Sequence, residues 1–214
     1  SPAPGYEEST DFSHRIILMI IEQIEVTWMS VFSYLLVDDT TREGVLIDPA
    51  GDFDRIFQKV DEHRARITYV INTHGHWDHA SGNEHVMNRT GARLVIHEND
   101  APMLRRVSTR VLSRVLGGKG SPAPYLTVKD GDTISAGGLR LKVLHTPGHT
   151  EGSICLHIDG NLFTGDTLFT EGMGRTDFSG GSYEKIMESI TKKILALPDT
   201  TKIWPGHNYG RFPV

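Results

Sequence analysis

The stretch Thr73-His74-Gly75-His76-Trp77-Asp78-His79 places three histidines and a carboxylate within six residues. Neutral imidazole is the commonest metal ligand in proteins, and histidines clustered this densely are costly unless something shares their nitrogen atoms. In an extended segment His74 and His76 point to the same side, whereas Asp78 and His79 can turn toward a second position as a helix begins. We therefore predict that this loop serves two metal ions rather than forming a histidine-rich surface loop.

Three single residues further along the chain share one local setting. His149, Asp166 and His207 each come directly after a glycine that follows an apolar strand pattern. Glycine allows the backbone to approach a crowded centre closely. Each residue alone is a weak signal, but the shared pattern predicts that all three join the histidine-rich loop at one site.

Apolar periodicity on either side of these residues predicts an alternation of strands and helices. Strands are predicted at residues 15–26, 31–37, 44–48, 67–72 and 93–97, and then at 125–128, 132–135, 139–145, 153–158, 161–164 and 202–204. Helices are predicted at residues 52–66, 81–90, 98–116 and 183–197. Asp52 is the expected N-cap of the first helix. Two packed sheets with helices outside fit this order, which is an α/β architecture.

Length and composition bound the domain organisation and the partners. The 214 residues suit one domain, or at most two small ones, and we place a single domain at residues 15–214 after an N-terminal arm at residues 1–14. The net charge of -5 offers no broad basic face for nucleic acid, and the longest apolar run, residues 16–21, is too short for a bilayer. Cys155 is the only cysteine, so a reducing, cytoplasmic compartment is expected. We therefore expect a small-molecule substrate, without a nucleic-acid or membrane partner.

Together with Asp48, which follows an early strand, these positions form a five-part pattern by which the sequence resembles the metallo-β-lactamase superfamily. The resemblance extends from about Val31 onward and is closest to the single-domain members of the glyoxalase II-like branch. The supporting stretches are residues 46–49, 146–150, 164–169 and 174–177. The resemblance implies the four-layer αβ/βα sandwich of that family, with the site where the loops of the two sheets meet.

The resemblance also implies a set of ligands around two divalent metal ions. The first ion is expected on His74, His76 and His149, and the second on Asp78, His79 and His207, with Asp166 bridging the two. These nitrogen and oxygen ligands suit zinc, and iron and manganese also accept them. Asp78 and Asp166 are the expected catalytic carboxylates. Asp48 is expected either to orient a histidine ligand or to serve only as a turn residue at the strand end.

The activity implied for this branch is hydrolysis of an acyl-glutathione-type thioester by a hydroxide that bridges the metal ions. Arg175 is the expected substrate-binding residue, with a plain surface role as the alternative, and Tyr209 is a weaker candidate for the pocket. Full-length glyoxalase II adds a C-terminal helical domain that helps bind glutathione. Because this sequence ends at Val214, a smaller or different thioester is also expected as a substrate. The position of Cys155 within a predicted strand disfavours β-lactam hydrolysis of the type that uses a cysteine at the second metal.

Three other readings stay open from the sequence. The first is a persulfide dioxygenase with one iron on His74, His149 and Asp166, because residues 174–178 resemble that group, although Met173 stands where its loop has a cysteine. The second is a phosphodiesterase or nuclease, which a two-metal site permits and the acidic charge disfavours. The third is a non-catalytic binding module, which the complete ligand set disfavours.

Overall fold

The computed structural model describes residues 18–26, 30–105 and 121–209, and two sheets form its centre. The strands of the first sheet follow chain order: β1 (Met19–Val26), β2 (Val31–Asp38), β3 (Glu43–Ile47), β4 (Arg66–Ile71), β5 (Arg93–His97) and β6 (Leu126–Val128). The pairs β1–β2 and β2–β3 are antiparallel, and β3 to β6 pair in parallel. This confirms the predicted hairpin of β2 and β3, and it directs the ends of β3, β4 and β5 to one edge.

The second sheet comes from the second half of the chain. Its strands are β7 (Thr133–Ala136), β8 (Leu139–His145), β9 (Ile154–Ile158), β10 (Asn161–Gly165) and β11 (Lys202–Pro205), in the spatial order β11-β10-β9-β8-β7. The pairs from β7 to β10 are antiparallel, whereas β10 and β11 are parallel. A parallel partner requires a crossover, which the helical segment between β10 and β11 supplies.

The helices cover the outer faces of the sheets. They are α1 (Phe53–Glu62), α2 (Trp77–Ala80), α3 (Asn83–Thr90), a 3₁₀ helix (Met103–Arg105), α4 (Tyr183–Ser189) and a π-helix (Ile190–Ile194). The predicted helix at 81–90 is confirmed with its end at Gly91, whose backbone is left-handed at φ 74°. The predicted helix at 183–197 divides into α4, the π-helix and a final turn.

Alternate residues along the buried strands separate the core into layers. Tyr34 and Leu36 of β2 face the second sheet and pack in one apolar cluster with residues such as Phe163. Leu35 and Val37 face the other way, into a cluster that includes residues from α1 and α3. A third, smaller cluster lies between the second sheet and the helices after residue 183. The result is a helix–sheet–sheet–helix sandwich, which confirms the predicted fold class.

Two details of the predicted helices are wrong. Residues 98–102 form turns and only Met103–Arg105 is helical, as a 3₁₀ turn, while residues 106–116 of the predicted helix lie outside the described part. Pro102 lacks an N–H and disfavours helical backbone at the residue before it, and the His97 ring accepts a bond from the Asn99 N–H. Asp52 stands at the N-cap position of α1, but with a left-handed φ of 47° its side chain makes no capping bond.

Within the residues that the structure describes, no helix combines the length and the apolar character needed to cross a lipid bilayer.

Candidate metal centre

The candidate site lies where the two sheets meet at the carboxyl ends of β4, β10 and β11. The Phe32 N–H donates to the Gly206 carbonyl at 2.8 Å, and the Ile154 N–H donates to the Thr73 carbonyl at 2.9 Å. These bonds tie loops of one sheet to strands of the other. Gly165 shows how close the approach is, because a Cβ atom there would lie 2.4 Å from Thr73 Oγ1 at a φ of 49°.

One group of three histidines, here called the first cluster, comprises His74, His76 and His149, and one ring nitrogen of each lies within 4.8 Å of the others. His149 Nε2 and His76 Nδ1 lie 2.9 Å apart. His74 and His76 come from the loop after β4, and His149 comes from the loop after β8. The structure therefore brings together the three residues that were predicted to hold the first ion.

The second cluster comprises Asp78, His79 and His207, again with one ligand atom of each within 4.8 Å of the others. His79 Nε2 lies 3.1 Å from His207 Nε2, and Asp78 Oδ2 lies 3.7 Å from His207 Nε2. Asp78 and His79 lie on helix α2, and the His79 ring also lies beside the first cluster, with its centre 4.3 Å from that of His74.

Asp166 lies between the two clusters. Its Oδ2 is 3.4 Å from His149 Nε2 of the first cluster and 3.4 Å from His207 Nε2 of the second. Its Oδ1 is 3.3 Å from His79 Nε2. One carboxylate thus reaches ligand atoms on both sides, which is the placement that a bridging ligand requires.

Hydrogen bonds at the opposite ring nitrogens orient two of these histidines. The His79 ring places Nδ1 3.0 Å from Asp48 Oδ2, and the His149 ring places Nδ1 2.7 Å from the Arg175 carbonyl. Both partners are acceptors, so each Nδ1 carries a proton that it donates outward, and each Nε2 is the ring atom that faces the centre. Asp48 therefore contacts a predicted ligand directly, as the orienting role had anticipated.

The residues present fit a metal ion. Among the described residues, the buried side-chain polar atoms that lack a hydrogen-bond partner are His74 Nε2 and Asp166 Oδ1. The hydroxyl of Thr73 donates to Asp48 at 2.6 Å and lies 3.1 Å from His74 Nδ1, so it can accept the proton of that ring. The bare Nε2 of His74 is then left facing the other ligands. Buried polar atoms without partners are costly, and a cation would satisfy both.

The charges of the site act differently on its histidines. Burial, together with the neighbouring His79, lowers the pKa of His74 well below its ordinary value. Burial alone would also lower the pKa of His79, but the carboxylates of Asp166 and Asp48 outweigh it and raise that pKa well above the ordinary value. Burial opposes the charge of Asp166, yet His79 and His207 hold the pKa of this carboxyl well below its usual range. Asp166 therefore keeps its negative charge at the position between the two clusters.

A cavity of about 630 Å³ opens over the two clusters. Phe169, Met173, Phe178 and Tyr209 give it apolar walls, and Asp78 and Asp166 reach it from the site side. The sequence reasoning missed Phe169 and Phe178 because single aromatic residues in a loop carry no spacing signal. Phe169 ends the matched stretch 164–169 and Phe178 directly follows the stretch 174–177, and this position is the one feature that could have indicated them.

Arg175, which was predicted to bind substrate, lines this cavity. Its guanidinium makes two bonds to the Asp177 carboxylate, 2.9 Å from Nε to Oδ1 and 2.6 Å from Nη2 to Oδ2, and lies 4.5 Å from the centre of the Phe178 ring. Tyr209 also lines the cavity and stacks on His207, with ring centres 4.5 Å apart. Both sequence candidates for the pocket therefore lie at it.

A four-layer α/β sandwich with clustered histidine and aspartate side chains at its loop end is the arrangement of a metallo-hydrolase class of protein. The family model described as the metallo-beta-lactamase superfamily matches residues 26–207, and the chain belongs to this superfamily.

Individual relatives support this assignment. A hydroxyacylglutathione hydrolase of Maricaulis maris is 37% identical over 180 residues, which cover 83% of this chain and 62% of the relative, so the chain spans less than two thirds of that protein. Among solved structures, the chain is similar to ETHE1 from Myxococcus xanthus at 34% identity and a TM-score of 0.77, covering 90% of this chain and 77% of the other. It is also similar to BLEG-1, a B3 metallo-beta-lactamase, at 27% identity and a TM-score of 0.80, with 88% and 92% covered.

Proposed function

We propose that this protein is a metal-dependent thioester hydrolase that acts on acyl-glutathione-type thioesters. The observation that carries the proposal is the convergence of two ligand clusters on Asp166 beneath an open cavity. Two clusters with a shared carboxylate suit hydrolysis at a carbonyl centre, and the named hydroxyacylglutathione hydrolase of Maricaulis maris favours a thioester as the substrate class.

The ligand roles follow the two clusters. His74, His76 and His149 would hold one ion, Asp78, His79 and His207 would hold the other, and Asp166 would bridge them. Zinc is the proposed metal, with iron and manganese as the other ions that this ligand set accepts. When bound, such ions lower the pKa of water towards about 7 and polarise a carbonyl oxygen.

The side chains around the cavity have separate tasks in this proposal. The carboxylate of Asp78 reaches the cavity and can accept a proton from an attacking water. Asp166 contacts ligand atoms of both clusters and fixes their relative position. Phe169 and Phe178 exclude bulk water from the carbonyl and pack on the acyl chain. Arg175 binds a carboxylate of the thiol portion, for which its guanidinium must exchange the carboxylate of Asp177.

A reducing, cytoplasmic compartment is part of the proposal. Cys155 is the single cysteine of the sequence and is fully buried among apolar residues. As the single cysteine of the sequence, it has no disulfide partner within the chain. Burial raises the pKa of its thiol to about 11, so the thiol is not an activated nucleophile. A small-molecule substrate fits the dimensions of the cavity.

The direct test is hydrolysis of S-lactoylglutathione by zinc-loaded protein, compared with His76→Ala. His157→Ala is the matched control, because His157 lies on β9, which begins beside the site at Ile154 and leads away from it. Loss of an outer-shell partner costs about 10- to 100-fold in metal affinity or activity, so loss of a direct ligand should cost at least as much. The control should keep wild-type turnover. Equal turnover by His76→Ala, or none by fully metallated wild type on a panel of acyl thioesters, would contradict the proposal.

The second candidate is an iron-dependent persulfide dioxygenase. Two observations favour it: residues 174–178 line or adjoin the cavity, and the chain is 34% identical to ETHE1 from Myxococcus xanthus. Oxygen uptake by iron-loaded protein with glutathione persulfide decides for this candidate, and its absence decides against it. A β-lactam included in the same panel tests whether the similarity to BLEG-1 extends beyond the fold.

A further inference from the structure

A third buried carboxylate, besides Asp48 and Asp166, lies directly beneath the metal centre. Asp100 follows β5 in a turn, and its side chain is fully buried. Its Oδ2 accepts from the Gly75 N–H at 2.8 Å and from Thr150 Oγ1 at 2.7 Å, and its Oδ1 accepts from the Gly152 N–H at 2.7 Å. Three short bonds from three different residues fix this carboxylate in one orientation.

The three donors belong to the two loops that carry the first cluster. Gly75 lies between His74 and His76, and Thr150 follows His149 in the chain. The two loops come from different sheets, so no backbone ladder within either sheet fixes the distance between them. Asp100 spans that distance with its two carboxylate oxygens.

The packing around Asp100 leaves little space for the loop of His149 to shift toward it. A Cβ atom at Gly152 would lie 2.6 Å from the Asp100 nitrogen and 2.7 Å from its Cγ. The loop therefore rests directly on this carboxylate. Burial raises the pKa of Asp100 above its ordinary value, an effect that the bonds from Thr150, Gly75 and Gly152 oppose.

The second cluster has a different support. Asp48 accepts from the Thr73 N–H at 2.8 Å and from its hydroxyl at 2.6 Å, and it contacts the His79 ring itself at 3.0 Å. Asp48 thus acts on a ligand ring of the second cluster, whereas Asp100 bonds to loop groups that flank the rings of the first cluster.

We propose that Asp100 is a positioning residue that sets the spacing between the His74–His76 pair and His149, and thereby the affinity of the first cluster for its metal ion. The proposal rests on the metal-binding role proposed above. Replacing the carboxylate with an amide would turn an NH₂ group toward at least one of the three donors. The loops would then separate, and the three imidazole nitrogens would no longer converge.

The test compares Asp100→Asn with Asp38→Asn in zinc titrations against a chromophoric chelator. Asp38 is a matched control because it is also a buried carboxylate that accepts loop N–H bonds, from Thr40, Thr41 and Gly138, but at the opposite end of β2. In Asp100→Asn the zinc equivalent that His76→Ala removes should bind about 10- to 100-fold more weakly, the range for partners that orient ligands. Asp38→Asn should bind both equivalents with wild-type affinity.

A milder pair of variants guards against loss of folding. Thr150→Val removes one donor to Asp100 and should weaken the same zinc equivalent by a smaller factor, while Thr150→Ser keeps the hydroxyl and should restore it. Wild-type affinity for both equivalents in Asp100→Asn and Thr150→Val, with lowered stability alone, would overturn the positioning role. If the wild-type protein itself binds no zinc, the proposed metal centre fails first, so the two failures are distinguishable.

Discussion

The first cluster and the stacked pair of His97 and His145 are two groups of closely spaced histidine rings, and their geometries differ. In the first cluster His149 Nε2 lies 2.9 Å from His76 Nδ1, so nitrogen atoms face one another. Outside the site, the rings of His97 and His145 stack face to face, with centres 4.0 Å apart and an angle of 11° between them. The direction of the ring nitrogens, rather than the density of histidines, separates a ligand set from a packing contact.

One ring nitrogen of each histidine in the stacked pair has a backbone partner. His97 Nδ1 accepts from the Asn99 N–H at 3.2 Å, and His145 Nε2 lies 2.8 Å from the Glu151 carbonyl, to which it donates. In the metal centre the backbone or a carboxylate takes one nitrogen of His79 and His149 and leaves the other directed inward. The second nitrogen of each cluster histidine faces other ligand atoms, whereas His97 and His145 turn the planes of their rings toward each other.

The largest expected effect comes from the residue that the two clusters share. Asp166→Asn should lower the zinc affinity of both clusters by more than the about 10- to 100-fold of an outer-shell change, because Asp166 contacts ligand atoms on both sides. Metal analysis after dialysis should find less than one equivalent. Asp159→Asn is the matched control, since Asp159 lies in the exposed turn between β9 and β10. Two tightly bound equivalents in Asp166→Asn would mean that the clusters do not depend on this carboxylate.

Metal removal should have the next largest effect, on the stability of the fold. Without a cation, the buried His74 Nε2 and Asp166 Oδ1 lack partners, and the imidazole nitrogens of the two clusters face each other unscreened. A ligand at 100 times its Kd stabilises the folded state by about 2.7 kcal/mol per site. Urea unfolding with zinc and with a chelator should show a difference of at least this size, and His76→Ala should show a smaller one. An identical free energy of unfolding in both conditions would contradict the site.

Most residues of the candidate site could be predicted from the sequence. The loop from His74 to His79 was predicted to bind metal because packing alone does not explain three histidines within six residues. His149, Asp166 and His207 were predicted from a shared glycine-ligand pattern after a strand, and the structure places them beside that loop. These placements follow from the strand ends of two sheets that meet at one edge. That the seven residues bind metal stays a prediction.

Asp100 could not be predicted in the same way. It has no glycine before it and lies in a stretch, residues 98–116, whose apolar spacing indicated a helix. Its partners, Gly75 and Gly152, are distant in sequence and meet it only because two sheets converge. The helix prediction was wrong at residues 98–102 for a related reason, since Pro102 and bonds between side chains and backbone favour turns there. Apolar periodicity indicates which face of a helix or strand is buried, but it gives no information about contacts between loops.

The smallest effect should come from the stacked pair, as a dependence of stability on pH. Burial and the nearby His145 lower the pKa of His97 from 6.5 to about 4, against the opposing charges of Glu98, Asp130 and Asp132. The unfolded chain therefore takes up a proton near pH 6.5 that the folded protein takes up only near pH 4. Because the unfolded state binds more protons in this window, stability falls as the pH drops from about 6.5 to about 4, and His97 contributes no such loss above it.

Replacing His97 with phenylalanine keeps a flat ring against His145 but removes the titrating group. Between pH 7 and pH 5 the wild-type protein, freed of metal, should lose about 1 kcal/mol more unfolding free energy in urea than His97→Phe does, after allowance for solvent screening. The comparison cancels the contribution of the metal-centre histidines, which both proteins keep. An NMR titration of His97 with a midpoint near 6.5 would contradict this prediction. It would show that the ring takes up a proton freely, which does not agree with a stacked ring whose Nδ1 accepts a backbone hydrogen bond.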